Sequence, residues 1–339
     1  MKAKLDESTC CFGTGVLLKH TLALQQEIEG VRLGQDIEYI HRMRVASRRL
    51  RSALPIFAGC FPSRKILAWS KSVRKITRAL GIARDTDVQI DLVKQILASL
   101  PAPNMRNGVQ RLLLRLSQQR LKLQTKVLLA VDELTGSGIV VDMTNQFNES
   151  LAQFPAALPN THSLYQLGLD SLNLRLNEFL SYEQHINFPE RIAELHAMRI
   201  AAKRLRYEME IFAPLYPEEL KAFLQAVRKA QDTLGNVHDC DVWAMTLPQF
   251  MEKERRRILK FYGSQQPFSP LVPGIQYFEQ NRLSARKEQY ELFLDDWKNW
   301  KNLGLWEEFR SVIQRPLSMV DRVFPASSFP QTPDVQVQS

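Results

Sequence analysis

The chain has 339 residues, and its 45 Lys and Arg outnumber its 36 Asp and Glu, which gives a formal net charge of +9. A hydrophobic fraction of 45% and a charged fraction of 24% are typical of a folded globular protein and exclude a disordered chain. No apolar run approaches the ~18–20 residues needed to cross a bilayer, and the N-terminus lacks the apolar segment of a secretory signal. We therefore expect a cytoplasmic protein with no membrane partner.

The positive charge is concentrated in one part of the chain. Residues 39–84 contain 12 basic side chains and no acidic one. Residues 1–131 together carry +14, whereas residues 132–339 carry −5. Charge that served only solubility would be spread more evenly. The distribution indicates a polyanionic partner whose binding depends mainly on the first half.

Helices are predicted along nearly the whole chain, because apolar residues recur at spacings of three and four and alternating β-type runs are scarce. Pro and Gly separate the helical segments. The predicted helices of the first half span 14–30, 36–59, 63–80, 86–99, 105–134 and 140–154. Those of the second half span 163–182, 189–213, 217–234, 239–260, 275–302 and 305–320. The polar stretch 325–339 is predicted to be a disordered tail.

The cysteines indicate no covalent framework. There are four of them, with no CxxC spacing: Cys10, Cys11, Cys60 and Cys240. We expect reduced thiols, and neither a disulfide framework nor a zinc site.

Two sequence blocks recur in register. The first reads HRMRVASRRLR at 41–51 and HAMRIAAKRLR at 196–206, and the second reads LGIARDTDV at 80–88 and LGNVHDCDV at 234–242. Matches of this length at nearly constant offset indicate a tandem duplication of one helical unit.

The first repeated block places its basic residues on one face of a helix. At 100° per residue, its stripe covers an arc of about 80° and contains no acidic residue. The stripe of the first half consists of His41, Arg44, Arg48 and Arg51, and that of the second half consists of His196, Arg199, Lys203 and Arg206. Like charges so arranged repel one another unless an anion binds or acids of another helix face them. Arginine's planar fork suits phosphate oxygens.

Further basic residues extend these stripes. Arg49 and Arg204 lie beside them and recur in both halves. The following helix adds Lys71, Arg74 and Arg78 on one face, and their second-half equivalents are Gln225, Arg228 and Asp232. Arg84 is likewise replaced by His238, so the second half is the weaker cationic wall.

The pattern HxMRVAxRRLRxxLxxF followed by LGxxRDxDV resembles the CHAD family, the conserved histidine α-helical domain. The resemblance implies an all-α domain over 14–320, with halves at about 14–155 and 161–320. It implies two pseudo-symmetric four-helix bundles with extra helices around a basic central groove. It further implies binding of inorganic polyphosphate without catalysis, in the stand-alone form that lacks a CYTH domain.

Carried over by position, the resemblance and the repeat give one set of candidate polyphosphate-binding residues. The set consists of His41, Arg44, Arg48, Arg49, Arg51, Lys71, Arg74, Arg78, His196, Arg199, Lys203, Arg204, Arg206 and Arg228. Polyphosphate-metabolising proteins and polyphosphate granules are the further partners and location that this function suggests.

Three alternatives remain open. RNA and DNA are also regular polyanions, but no aromatic residue lies between His41 and Leu54 to stack on bases. A metal is disfavoured because His41 and His196 are flanked by arginines and lack a ligand at i+3 or i+4. No nucleotide-binding or nucleophile motif supports an enzyme of phosphate metabolism, so we expect no cofactor. Asp85 and Asp239 are expected to cap the next helix, or to brace a groove arginine.

Overall fold

A computed structural model describes residues 5–34, 36–155 and 158–323. Within these ranges every secondary-structure element is helical, which confirms the predicted all-α class. The tail predicted at 325–339 lies outside the described residues. No helix in the described part of the chain has the length and apolarity that a bilayer crossing requires.

In the described residues, the α-helices of the two halves pack in a similar order, although the first half has six and the second five. The first half contains α1 (Glu7–Gln26), α2 (Ile28–Leu33), α3 (Ile37–Ile56), α4 (Ser63–Ala98), α5 (Arg106–Gly136) and α6 (Ile139–Ala152). The second half contains α7 (His162–Leu180), α8 (Ile192–Phe212), α9 (Lys221–Tyr262), α10 (Val272–Asn302) and α11 (Leu305–Val323). In the first half α1 packs on α3 and α6, α3 on α4, and α4 on α5. The equivalent pairs of the second half are α7 with α8 and α11, α8 with α9, and α9 with α10.

Two helices are longer than the sequence analysis predicts. The breaks expected at 80–86 and 234–239 are wrong, because α4 and α9 run through both positions. Buried residues keep the helical spacing across the expected break in α4, at Leu80, Ala83, Asp87 and Ile90. Asp85 and Asp239 therefore lie inside helices, and the capping role expected for them is also wrong.

The other acid of each repeated DxD pair joins neighbouring helices. Asp87 is buried and accepts a hydrogen bond from Arg120 of α5 at 2.6 Å. Its equivalent, Asp241, is buried and accepts one from Arg286 of α10 at 2.5 Å. The same ion pair thus fixes α4 to α5 and α9 to α10.

One hydrophobic core cluster extends through both halves, and a second joins the far ends of α4 and α5 to α9 and α10. Near this second cluster the helices α5 and α10 approach through two glycines. A Cβ at Gly108 would overlap the carbonyl oxygen of Leu271, and one at Gly274 would overlap that of Met105. The contact is reciprocal, since each glycine meets the segment that holds the other.

A disulfide joins Cys10 of α1 to Cys60 in the turn after α3, with Cα atoms 5.4 Å apart. The expectation of four reduced thiols is therefore wrong for this pair. Packing of α1 against α3 brings together two cysteines that are 50 residues apart in sequence, and sequence spacing carries no sign of it. Cys11 and Cys240 are free.

The glycine contact predicts a matched set of variants. Gly108→Ala and Gly274→Ala should each lower the free energy of unfolding by about 1–3 kcal/mol, because the new methyl group meets backbone that cannot move aside. Gly15→Ala in α1 is the control, because its Cβ meets nothing within 4 Å. It should raise stability by about 0.5–1 kcal/mol. Denaturant unfolding measures all three, and equal effects at Gly15 and Gly108 would contradict the contact.

The disulfide predicts two accessible thiols per chain in denaturant without reductant, those of Cys11 and Cys240. Reduction should lower stability by ~4 kcal/mol, the loop-entropy value for a crosslink of this span. Cys11→Ser should leave the melting temperature unchanged. A titration that finds four thiols in the purified protein would show that the bond is absent.

Candidate anion-binding groove

The two predicted stripes meet where α3 contacts α8. A cavity of about 600 Å³ opens there between α3 and α4 on one side and α7 and α8 on the other, and we call it the α3–α8 groove. Its cationic lining consists of Arg44, Arg48, Arg51, Arg175, Lys203 and Arg204. Residues of both repeats therefore line one space.

Arg48 is a partly buried cation of the groove. Its guanidinium carbon lies 5.3 Å from the centre of the Tyr207 ring. Burial, followed by the nearby charges of three other arginines, lowers its pKa to about 10 even though Tyr207 acts in the opposite direction. Those neighbours are Arg44, Arg206 and Arg199, from both halves. No carboxylate within the described residues pairs with Arg48, so its charge is uncompensated.

Several predicted ligands are held by carboxylates instead. Arg44 donates to Asp85 of α4 at 3.0 Å, the bracing role that the sequence analysis left open. Arg49 donates to Glu210 of α8 at 3.0 Å.

The second-half stripe is partly neutralised. Arg206 lies 3.3 Å from Glu210 on its own helix, and Arg204 pairs with Glu178 of α7. These two acids belong to the second half, whereas the first half supplies Asp85 to Arg44.

The remaining candidates differ in position. Arg51 and Lys203 line the groove, and Arg199 lies close enough to Arg48 to affect its pKa. Among the described residues, none of these three has an ion-pair partner. Four others are exposed on α4 and α9, outside the lining of the groove, and are also without an acidic partner in the described ranges: Lys71, Arg74, Arg78 and Arg228.

The glycines inside α4 and α9 lie against stripe arginines of the neighbouring helices. A Cβ at Gly81 would lie 3.7 Å from Nε of Arg44, and one at Gly235 would lie 3.5 Å from Nε of Arg199. The repeated Leu-Gly dipeptide, which reads as a helix end in sequence, therefore lies inside a helix and beside an arginine of the neighbouring helix.

The two stripe histidines have different neighbours. Burial, then the charge of Arg84, lowers the pKa of His41. His196 instead stacks on His238, with ring centroids 3.9 Å apart. Nδ1 of all three histidines is enclosed and has no hydrogen-bond partner in the described structure.

Sequence reasoning missed three residues of the groove wall. Tyr207 lies under Arg48 and also under Arg206, whose guanidinium carbon is 4.9 Å from the ring centre. Arg175 donates to the buried Glu208 at 2.6 Å. Arg175 occupies the position equivalent to His20 at the repeat offset, so extending the repeat to α1 and α7 would have found it.

The described residues contain no group of three or more His, Cys, Asp or Glu side chains placed to hold a metal ion. The lining of the groove offers guanidinium and ammonium donors to an anion.

Comparison with known proteins gives one family and one fold. The family model described as the CHAD domain matches residues 15–248. A crystal structure of the CHAD domain from the plant Ricinus communis is 21% identical, with a TM-score of 0.58 over 87% of this chain and 93% of that chain. PptA from Streptomyces chartreusis is 13% identical, with a TM-score of 0.56 over 87% of this chain and 99% of that chain. At these identities the likeness concerns the fold alone. No curated protein matches the chain.

The uncompensated charge of Arg48 predicts that the empty groove is destabilising. Arg48→Met keeps the aliphatic stem and removes the charge, so it should raise the free energy of unfolding by about 1 kcal/mol. Arg49→Met is the matched control, because it removes a partner of Glu210 and should lower stability by about 1 kcal/mol. Both are measured by denaturant unfolding in phosphate-free buffer. Equal losses in the two variants would show that Arg48 is not under repulsion.

Proposed function

The chain belongs to the CHAD domain family, and we propose that it is a binding module for inorganic polyphosphate, which occupies the α3–α8 groove. The observation that carries this proposal is Arg48, an enclosed cation surrounded by other guanidinium groups and without a carboxylate partner in the described structure. A protein holds such a charge at a cost to stability, which a bound polyanion offsets.

Polyphosphate suits the shape and charge of the groove. It is a linear chain with one negative charge on each interior unit, and the basic residues form two lines along α3 and α8. Arginine forks form paired hydrogen bonds to phosphate oxygens, and each neutralised unit releases counterions to solution. Binding by this mechanism strengthens with chain length and requires no catalytic step, so we propose no enzymatic activity.

A nucleic acid is the rival ligand, because its backbone is also a regular polyanion. Tyr207 is the aromatic residue of the groove lining. It is buried, and the guanidinium groups of Arg48 and Arg206 lie over its ring, which leaves no free face for a base. This favours a ligand without bases.

We propose that the protein is cytoplasmic, with polyphosphate granules as its location and polyphosphate-metabolising proteins as further partners. Disulfides are rare in that compartment. The thiol titration proposed for Cys10 and Cys60 therefore also tests this placement.

The deciding experiment is a titration with long-chain polyphosphate in competition with RNA at about physiological salt. We expect tighter binding of polyphosphate, with a dissociation constant that rises steeply with salt concentration. Equal or tighter binding of RNA would overturn the proposal.

Variants locate the site and its asymmetry. Arg44→Ala and Arg199→Ala should each weaken polyphosphate binding by about tenfold or more, since each removes a charge-assisted contact. The first-half variant should have the larger effect, because residues 1–131 carry +14. Arg256→Ala is the control, since Arg256 pairs with Glu252 outside the groove lining. Unchanged affinity in both groove variants would show that the stripes do not bind the ligand.

A further inference from the structure

We propose that His238 is a polyphosphate-binding residue of the second half, and that with His196 it forms a pair which is neutral in the empty protein and protonated when the polyanion is bound. This inference rests on the proposed function and adds to it a proton-dependent part of the same site. His238 lies outside the repeated basic stripe, so the stripe does not identify it.

The two histidines of the pair are in contact at the start of the second stripe. His196 lies on α8 and His238 on α9, and their rings are 3.9 Å apart with an angle of 34° between their planes. Nδ1 of each ring is enclosed and lacks a hydrogen-bond partner within the described residues. Two stacked imidazoles with unused nitrogens have donor capacity that nothing in the empty protein uses.

A polyanion bound in the groove would reach this pair by following the basic face of α8. Lys203, which lines the groove, is seven residues from His196 along α8, a distance of about 10 Å. Arg199 lies between them on the same face, and its Nε is also enclosed without a partner. Beside α9 a further cavity of about 450 Å³ is lined by Arg84, Asn236 and Arg282, among others. Asp91 and Asp239 also line this second cavity, so the cationic neighbours of the pair lie on the α8 side, at Arg199 and Lys203.

The charged groups around the pair mainly disfavour protonation of the two histidines. On α8, Arg199 acts on both histidines. On α9, Asp241 favours the charged form of His196, but Arg286 of α10 already binds this carboxylate. Asp239, next to His238, lies near Arg199, Arg44 and Asp85, and burial raises its pKa.

These surroundings keep the empty pair neutral. Burial, followed by Arg199, lowers the pKa of His196, with Asp241 acting against them. Burial, then His196 and Arg199, lowers the pKa of His238 to about 4. At neutral pH both imidazoles are therefore neutral in the protein without a bound anion.

Binding and protonation are therefore linked. A polyanion raises the pKa of both rings, so the complex takes up protons that the empty protein does not hold. Affinity must then rise as pH falls from 8 towards 5. Interior phosphate units keep their charge over this range, so the ligand does not reverse the trend.

The first half supplies an internal comparison. The residue equivalent to His238 is Arg84, which lies beside His41. Arginine, unlike histidine, is not a side chain that switches its charge near neutral pH. His238→Arg would give the second half the arrangement of the first. His41 is unchanged in every variant considered, so its own titration contributes equally to all of them.

The test is the dissociation constant of long-chain polyphosphate between pH 8 and pH 5.5 at fixed ionic strength. In the unmodified protein we expect affinity to increase about tenfold or more over this range, the equivalent of one charge-assisted hydrogen bond. His238→Arg should bind more tightly than the unmodified protein at pH 8 and show a smaller pH slope. His238→Gln should bind weakly at both ends of the range, also with a smaller slope. His185→Gln, in a short turn before α8, should keep the full slope.

Each outcome has one meaning. If the unmodified protein fails to bind polyphosphate at any pH, the proposed function is wrong. If it binds and His238→Arg keeps the full pH slope, the function stands and the inference fails.

A direct measurement on the unmodified protein does not depend on whether the variants fold. NMR titration of the histidine rings in the unmodified protein should show a higher pKa for His238 when polyphosphate is added. An unchanged pKa in the bound state would overturn the proposal.

Discussion

Repulsion among the arginines that meet at Arg48 is the constraint on which the rest of the structure depends. The apolar faces of α3 and α8, with Met43, Leu50 and Leu205 in the shared core, hold the two helices where their basic faces converge. Core burial supplies the free energy that keeps these charges together. The neighbouring carboxylates reduce the repulsion at Arg44 and Arg206 but leave Arg48 untouched. The groove is therefore a region where clustered positive charge lowers the local stability.

The two halves share a motif and differ in how they balance it. Asp85 of the first half pairs with Arg44, whereas the other carboxylates that pair with these cations belong to the second half: Glu178, Glu208 and Glu210. At the repeat offset, the first half has Ala23, Ala53 and Pro55 in their places. The difference in net charge between the two halves is thus visible in these ion pairs. Carboxylates of the second half pair with basic residues of that half, and Glu210 also pairs with Arg49 of the first half.

The repeat made much of this architecture predictable. Two blocks in register identified the stripes, and helical periodicity identified the all-α class, because both are local in sequence. What remained hidden depends on long-range packing. Gly81 reads as a helix end, yet α4 continues through it and the glycine lies beside Arg44. The Cys10–Cys60 bond and the stacking of His238 on His196 likewise arise only when distant segments meet.

The reciprocal approach of Gly108 and Gly274 restricts the substitutions that the chain can accept at both positions. In a homodimer such a contact would be isologous, with a single glycine meeting its own copy across the symmetry axis. Here the two positions lie in one polypeptide and are encoded separately, so either can mutate alone. Each glycine is nevertheless fixed by the backbone opposite it. The groove residues of the two halves differ, whereas the backbone contact here requires a glycine at both positions.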